Sequence, residues 1–470
     1  MQISKYLTRT FIPFIVFSSY QKSYAETFQT YFNHSNSSQF VEPYRQIQRP
    51  GHNFEEILIR SIDSAQKRIW IAVQEFRLPN VYNALLKKFK TGVEVRLILE
   101  NQYSAPFPYR NKKDLSLVDE YSRFRFEDYF YFLDQNADEV LSDQELLERD
   151  VLTQIKKDGI PMIDDTSDGS RGSGLMHHKF ILIDDELVVS SSANFTWSDF
   201  FGDFLRPFSR GNPNSLMLIQ NKDAAIIFEE EFLQMWKLKK FGLKKSPRGP
   251  QKIAFEDGRA LWVQFAPTSP SPNRVPWEKS ALGTANSILS QAKKSIELSL
   301  FVFSEQRISN TLESRVSKGI QLSALIDSEF AYRDYSEVLD IFGLQMLNRF
   351  CKIELNNHPW VRPLTIGVGS PRLPGGDKYH HKFATVDNEW TMVGSLNWSA
   401  AGNHNNDETI LFIKDPALTS KFREEHARAL GRSWTGIPFW LPQKISDQEK
   451  SCLENPTPRP TPEPNPDPED

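Results

Sequence analysis

Residues 176–185 read MHHKFILIDD, and residues 379–388 read YHHKFATVDN. Read as a strand, the first stretch puts His177 and Lys179 on one face and His178 on the other, because strand side chains alternate with period two. Phe180–Ile183 is an apolar run suited to a buried strand, and Asp184 ends it. After six intervening residues come Ser191, Ser192, Ala193 and Asn194. The second stretch repeats the pattern at identical spacing, with His380, Lys382, Asp387, Gly394, Ser395 and Asn397. A single H-x-K is weak evidence, since a lone strand histidine is more often packed or on the surface. Two matched sets of His, Lys, Asp, Ser and Asn are not coincidence, and four of the nine histidines lie in them.

Working outward, the flanking sequence is also repeated. Ser64–Ile69 (SAQKRI) matches Gln291–Ile296 (QAKKSI) at an offset of 227, and Gly92 and Gly319 keep that offset. Each half reads helix, strand, helix, strand, which predicts an α/β fold with a mixed or parallel sheet flanked by helices. The two histidines are only 203 apart, so the first half holds 24 extra residues between Gly92 and His177. An inserted loop is visible there. In DQNADEVLSDQE (134–145), Asp134, Asn136, Asp138, Ser142 and Glu145 occupy positions 1, 3, 5, 9 and 12 of an EF-hand loop. Val140 supplies the position-7 carbonyl, and Leu141 fills the apolar position 8. The sixth residue is Glu139, where glycine normally turns, at a cost of roughly 1 kcal/mol for positive φ. Two readings stay open: a structural calcium site, and an acidic helix–loop–helix that binds nothing.

The paired motifs resemble those of the phospholipase D superfamily, whose signature is H-x-K-x4-D-x6-G-S-x-N. The resemblance covers roughly 50–435 and lies closest to secreted bacterial phospholipase D-like proteins, with nuclease relatives sharing the motif. It implies two similar α/β/α domains with mixed sheets, related by a pseudo-twofold axis, and one active site at their interface. It implies phosphodiester cleavage without a catalytic metal, with His177 as nucleophile and His380 as acid and base. The chemistry of the residues agrees. Lys179 and Lys382 supply cations, and Asn194 and Asn397 amide donors, for the non-bridging oxygens of an anionic phosphodiester. Ser192 and Ser395 are expected to add hydroxyl hydrogen bonds. Asp184 and Asp387 are expected to be structural, ending their strands. The family's acidic residue after the motif is matched by Glu408, expected to hold His380; Ser215 stands in the corresponding place of the first half. On that reading His380 is the better-oriented ring. Ser191 replaces the pattern's glycine.

The ends and bulk properties bound the rest. Residues 1–25 read as a secretory signal: Lys5 and Arg9, a short apolar run from Phe11 to Ser18, and Ser23-Tyr24-Ala25 as cleavage site. The mature chain is expected to be exported, to a periplasm or beyond the cell. The formal charge is −4, and losing Lys5, Arg9 and Lys22 with the signal leaves −7, a poor profile for coating nucleic acid. The expected partition is a lead segment 26–48, a first domain 49–245 with the insertion at about 125–155, a second domain 246–440, and a proline-rich disordered tail 441–470. Cys351 and Cys452 either pair, as export permits, or stay as two thiols. FEDYFYF (126–132) and WSDFFGDF (197–204) either dip into a lipid interface or, the favoured reading, pack the core. Arg171, Arg372 and Lys378, in glycine-rich loops before the motifs, are candidate substrate contacts. The expected activity is that of a monomeric phospholipase D-type hydrolase acting on phospholipid head groups, with transient membrane-surface contact. The alternative is an exported, metal-independent endonuclease acting on nucleic acid.

Overall fold

A computed structural model describes residues 27–172, 174–268 and 275–454. The signal at 1–25 and the proline run from Pro456 lie outside the described residues. The repeat is realised as two sheets. In the first, Arg68–Val73 runs parallel to Glu94–Leu99 and antiparallel to the motif strand Lys179–Ile183. In the second, Ser295–Leu300 runs parallel to Gln321–Ile326 and antiparallel to the motif strand Lys382–Val386. Each motif strand then pairs antiparallel with the next, Leu187–Ser191 or Trp390–Gly394. The sheets have seven and nine strands and are mixed. The intervening helices, Pro79–Lys90 and Gln306–Val316, stop before Gly92 and Gly319, whose φ values of 88° and 87° turn the chain into the next strand.

Strand alternation sorts side chains into layers. Ile69, Ile71, Val73, Ile181 and Ile183 join one core with the helices Phe54–Ser64 and Pro79–Lys90. Trp70, Ala72, Phe180 and Leu182 face the other way, into a core that also holds Phe383, Leu411, Ile413 and Phe422 of the second half. Ile296, Leu298, Leu300, Ala384 and Val386 build the second half's own core. The two halves are therefore cemented by a shared apolar layer, with the helices Lys222–Trp236 and Pro416–Leu430 inside it.

Asp184 and Asp387 sit at positive φ, 51° and 57°, just past their strands. Asp184 accepts the Lys67 and Arg68 amides at 2.7 and 3.0 Å, and Asp387 those of Lys294 and Ser295 at 2.7 and 3.1 Å. Each motif aspartate thus clamps the turn that starts its half's first strand.

Two expectations need correction. The lead segment is part of the first sheet: Thr27–Phe32 pairs antiparallel with Ser215–Gln220, as Ala260–Ala266 pairs with Glu408–Lys414 in the other half. The tail begins later than 441, because Leu441–Glu454 is a helix with Leu441 fully buried. A disulfide joins Cys452 on this helix to Cys351, Cα–Cα 5.5 Å. The phenylalanine-rich loops follow their favoured reading as core elements, with Phe130, Phe132, Trp197, Phe200 and Phe201 all buried. No helix among the described residues is long and apolar enough to cross a membrane.

Candidate active site

Each motif enters its strand by crossing to the opposite half. The His177 amide donates to Asp407 O at 3.0 Å, and the Asp407 amide to Leu175 O at 2.7 Å. Reciprocally, the Lys378 amide donates to Asn212 Oδ1 at 2.7 Å and the Arg210 amide to Asp377 at 2.8 Å. The backbone before each catalytic-motif histidine is therefore held by the other repeat.

The rings follow suit, and this overturns the expected pairing. Glu408 holds His177, with Nδ1 to Oε1 2.6 Å. The His380 ring faces Asn214 Oδ1 at 2.9 Å, with Asp199 Oδ1 behind it at 3.6 Å. Asn214, and not Ser215, is the counterpart of Glu408. Ser395 Oγ donates to Glu408 at 2.5 Å and accepts the Thr409 amide at 3.0 Å. Ser192 Oγ donates to Asn214 at 2.7 Å and accepts the Ser215 amide at 3.0 Å. The two serines thus orient the groups behind the rings, where phosphate contact was expected. Ser191 is accommodated because its hydroxyl donates to Ser215 O at 2.9 Å, whereas a Cβ on Gly394 would lie 2.1 Å from Thr409 O.

The network defines tautomers. Glu408 is an acceptor, so His177 carries its proton on Nδ1 and presents Nε2 with a lone pair. Asn214 Nδ2 donates to Asn212 O at 3.0 Å and Asp199 Oδ1 at 3.2 Å, so its Oδ1 is the atom that faces His380. A carboxylate behind an imidazole raises its basicity more than an amide oxygen does. His177 is therefore backed directly by a carboxylate and His380 by an amide oxygen.

Lys179 and Lys382 are buried and share faces with their histidines. Lys179 Nζ donates to Gln74 Oε1 at 3.1 Å. Lys382 Nζ lies 4.7 Å from the centroid of Phe301, which also packs edge-on to His380. Gln74 and Phe301 are themselves 227 apart, so the repeat arithmetic could have found them. Asn194 is held by its backbone amide to Asp199 Oδ2 at 2.6 Å, and its side-chain oxygen has no partner among the described residues. Asn397 is fully buried in the matching turn. Of the loop candidates, Lys378 pairs with Glu329 at 3.3 Å, Arg171 is exposed, and Arg372 stacks on Trp434.

His178 and His381 face the shared layer. His178 meets Thr409 Oγ1 at 2.8 Å and Glu231 at 3.2 Å; His381 meets Glu425 at 3.2 Å. His178, Glu231 and Asp407 converge as a metal triad would, but Lys245 Nζ bonds both carboxylates, reaching Asp407 at 2.7 Å, and stands in the cation's place. Burial alone would push the Glu231 carboxyl up; Lys245, His178 and Arg248 together hold it well below the usual range.

The inserted loop lies apart from this site, between helices Glu120–Leu133 and Asp143–Arg149. Glu139 takes φ 64°. Asp134, Asn136 and Asp138 accept the amides of Glu139, Asp138 and Val140 at 3.0, 2.9 and 2.8 Å. Glu145 accepts from Gln135 at 2.9 Å and forms a capping box with Ser142. Asp134 Oδ1 is buried without a partner among the described residues.

Residues 58–236 and 286–430 match the family described as cardiolipin synthase, PLD-like domain, and the chain belongs to that family. Catalysis in this superfamily is metal-independent. The chain is 28% identical over 174 residues to the mitochondrial cardiolipin hydrolase of Homo sapiens, covering 37% of this chain and 60% of that one. It is 28% identical over 164 residues to the Mus musculus protein of the same name, covering 34% and 64%. The chain thus spans less than two thirds of these relatives' length. The phosphatidylserine synthase of Haemophilus influenzae Rd KW20 shares the fold, with a TM-score of 0.50, 12% identity, and coverage of 85% of this chain and 90% of that one.

Proposed function

We propose that the chain is a phospholipase D-type hydrolase that cleaves the head-group phosphodiester of a phospholipid. The observation that carries this reading is the cross-paired site, in which His177 is backed by the Glu408 carboxylate and His380 by the Asn214 amide. Nε2 of His177 attacks phosphorus while the P–O bond to the leaving alcohol breaks, and His380 gives that alcohol its proton. Water then attacks the phosphohistidine, losing a proton to His380 as the P–N bond breaks. Lys179, Lys382, Asn194 and Asn397 offset the charge on the non-bridging oxygens. An alcohol in place of water gives head-group exchange. The lipid substrates in the relatives' names support the lipid reading over a nuclease. Incubation with phosphatidylcholine, cardiolipin and single-stranded DNA in EDTA tests it. Release of phosphatidic acid or free head group is expected; DNA cleavage alone would replace lipid by nucleic acid as substrate.

We further infer that the chain is exported and that the 134–145 loop takes one structural calcium. The disulfide supports the first, since disulfides persist in oxidising compartments. The buried, partnerless Asp134 Oδ1 and the residue order support the second. Calcium at a hundredfold excess over its Kd should stabilise the fold by about 2.7 kcal/mol, reversed by EDTA and lost in Asp134→Asn, with turnover retained throughout. A melt indifferent to calcium would remove the ion from the account.

A further inference from the structure

One group of exposed apolar side chains lies late in the second half of the chain. Trp434, Phe439 and Ile366 are 64%, 95% and 82% exposed, and Ile437 and Trp440 are also exposed. Four of them fall within 434–440, and with Ile366 this stretch is here termed the ridge. Ser433–Thr435 is the edge strand of the second sheet, with Trp434 opposite Ser370. The Gly436 amide donates to Val368 O at 2.8 Å, and a Cβ on Gly436 would lie 3.1 Å from Thr365 O, so 365–366 runs beside 436–437.

Next to the ridge is a cavity of about 50 Å³ lined by Arg210, Arg372, Arg428, Arg432, His34 and Tyr379, among others. Arg428 is committed to Glu425, at 2.5 Å. Arg210, Arg372 and Arg432 make no ion pair among the described residues, although Asp377 accepts the Arg210 backbone amide. Such a cluster stands out on a chain of net charge −4. Arg372 joins the two features: its guanidinium lies 5.2 Å from the Trp434 ring, and its amide donates to Arg432 O at 2.8 Å. Tyr379, on the cavity wall, directly precedes His380.

We propose that this face docks on an anionic phospholipid surface, with a lipid phosphate among Arg210, Arg372 and Arg432 and with Trp434, Ile437 and Phe439 in the interface. Arginine pairs with phosphate, and exposed aromatic and aliphatic side chains enter the head-group boundary. A nucleic acid is the poorer occupant. Bases stack on open aromatic faces, whereas Arg372 lies over one face of Trp434 and two of the ridge residues are isoleucines. The proposal rests on the lipid reading above, and it brings the seam beside His380 to the membrane.

Sedimentation with vesicles tests it, using the full chain carrying His177→Ala so that lipid is not consumed. On vesicles containing phosphatidylglycerol, Arg372→Gln and Arg432→Gln should each lower the partition coefficient about fivefold. Phe439→Ser should lower it about tenfold. On phosphatidylcholine vesicles only Phe439→Ser should matter. With His177 restored, Arg432→Gln and Phe439→Ser should hydrolyse a water-soluble phosphodiester like the parent. Unchanged vesicle binding in the three variants, or a parent that does not sediment, overturns the proposal. So does a loss confined to single-stranded DNA binding. A chain that sediments yet releases no lipid head group refutes the proposed function and leaves the docking face standing.

Discussion

His177→Ala is expected to lower turnover by about 10⁴- to 10⁶-fold, with the fold intact by circular dichroism. The ring is fully buried and held on both sides, by the Asp407 carbonyl at its backbone and by Glu408 at Nδ1. Glu408→Gln leaves the volume but removes the charge and the obligate acceptor, so it should cost about 10⁴-fold through the wrong tautomer. Asn214→Ala should cost less, since an amide oxygen stabilises the opposite ring less than a carboxylate would. Quenching the His380→Ala variant during turnover should trap the phosphatidyl group on His177, read by mass spectrometry. A phosphatidyl adduct on His380 of the His177→Ala variant, or a Glu408→Gln enzyme of near-normal rate, would reverse the assignment of roles.

Lys245→Met is expected to destabilise the fold by about 3–5 kcal/mol in a urea melt, because it strips the cation from a buried cluster. Its ammonium bonds Glu231, Asp407 and Ala266 O, the last at 3.2 Å; without it Glu231 keeps Arg248 at 2.5 Å, a guanidinium shared with Glu230 at 2.9 Å. Asp407 also accepts the Gly242 amide at 2.9 Å and carries the carbonyl that holds His177. The same variant should therefore lose activity at temperatures where it remains folded, and Lys245→Arg should recover part of both losses. A cost below about 1 kcal/mol would place the change among ordinary surface substitutions and dissolve the link between cluster and site.

Much of the architecture was legible because it is written in local periodicity. The 227-residue offset predicted both helix–strand–helix–strand units, and the His-x-Lys alternation placed the reactive face. The extra 24 residues marked the insertion. Asp184 and Asp387 were legible as strand ends, though not as clamps on the turns before Arg68 and Ser295. The phenylalanine loops, the lead strand and the helix after Leu441 were harder. An aromatic run looks the same whether it meets lipid or a partner helix, and a short edge strand acquires its meaning only from the strand beside it.

The sequence by itself determined that two equal motifs exist and what chemistry their side chains can perform. Spacing along a chain records which residues share a face, and that suffices for His177 with Lys179 and His380 with Lys382. It does not record which half a side chain reaches into. Glu408 follows the second motif, so proximity in sequence assigned it to His380; packing of the two sheets carries it across the seam to His177. Tertiary structure also set the frame one residue earlier in the first half, putting Asn214 where Ser215 was expected. The two histidines are equal as sequence and unequal as chemistry, because the groups behind them come from the other repeat, and only folding brings a carboxylate to one and an amide to the other.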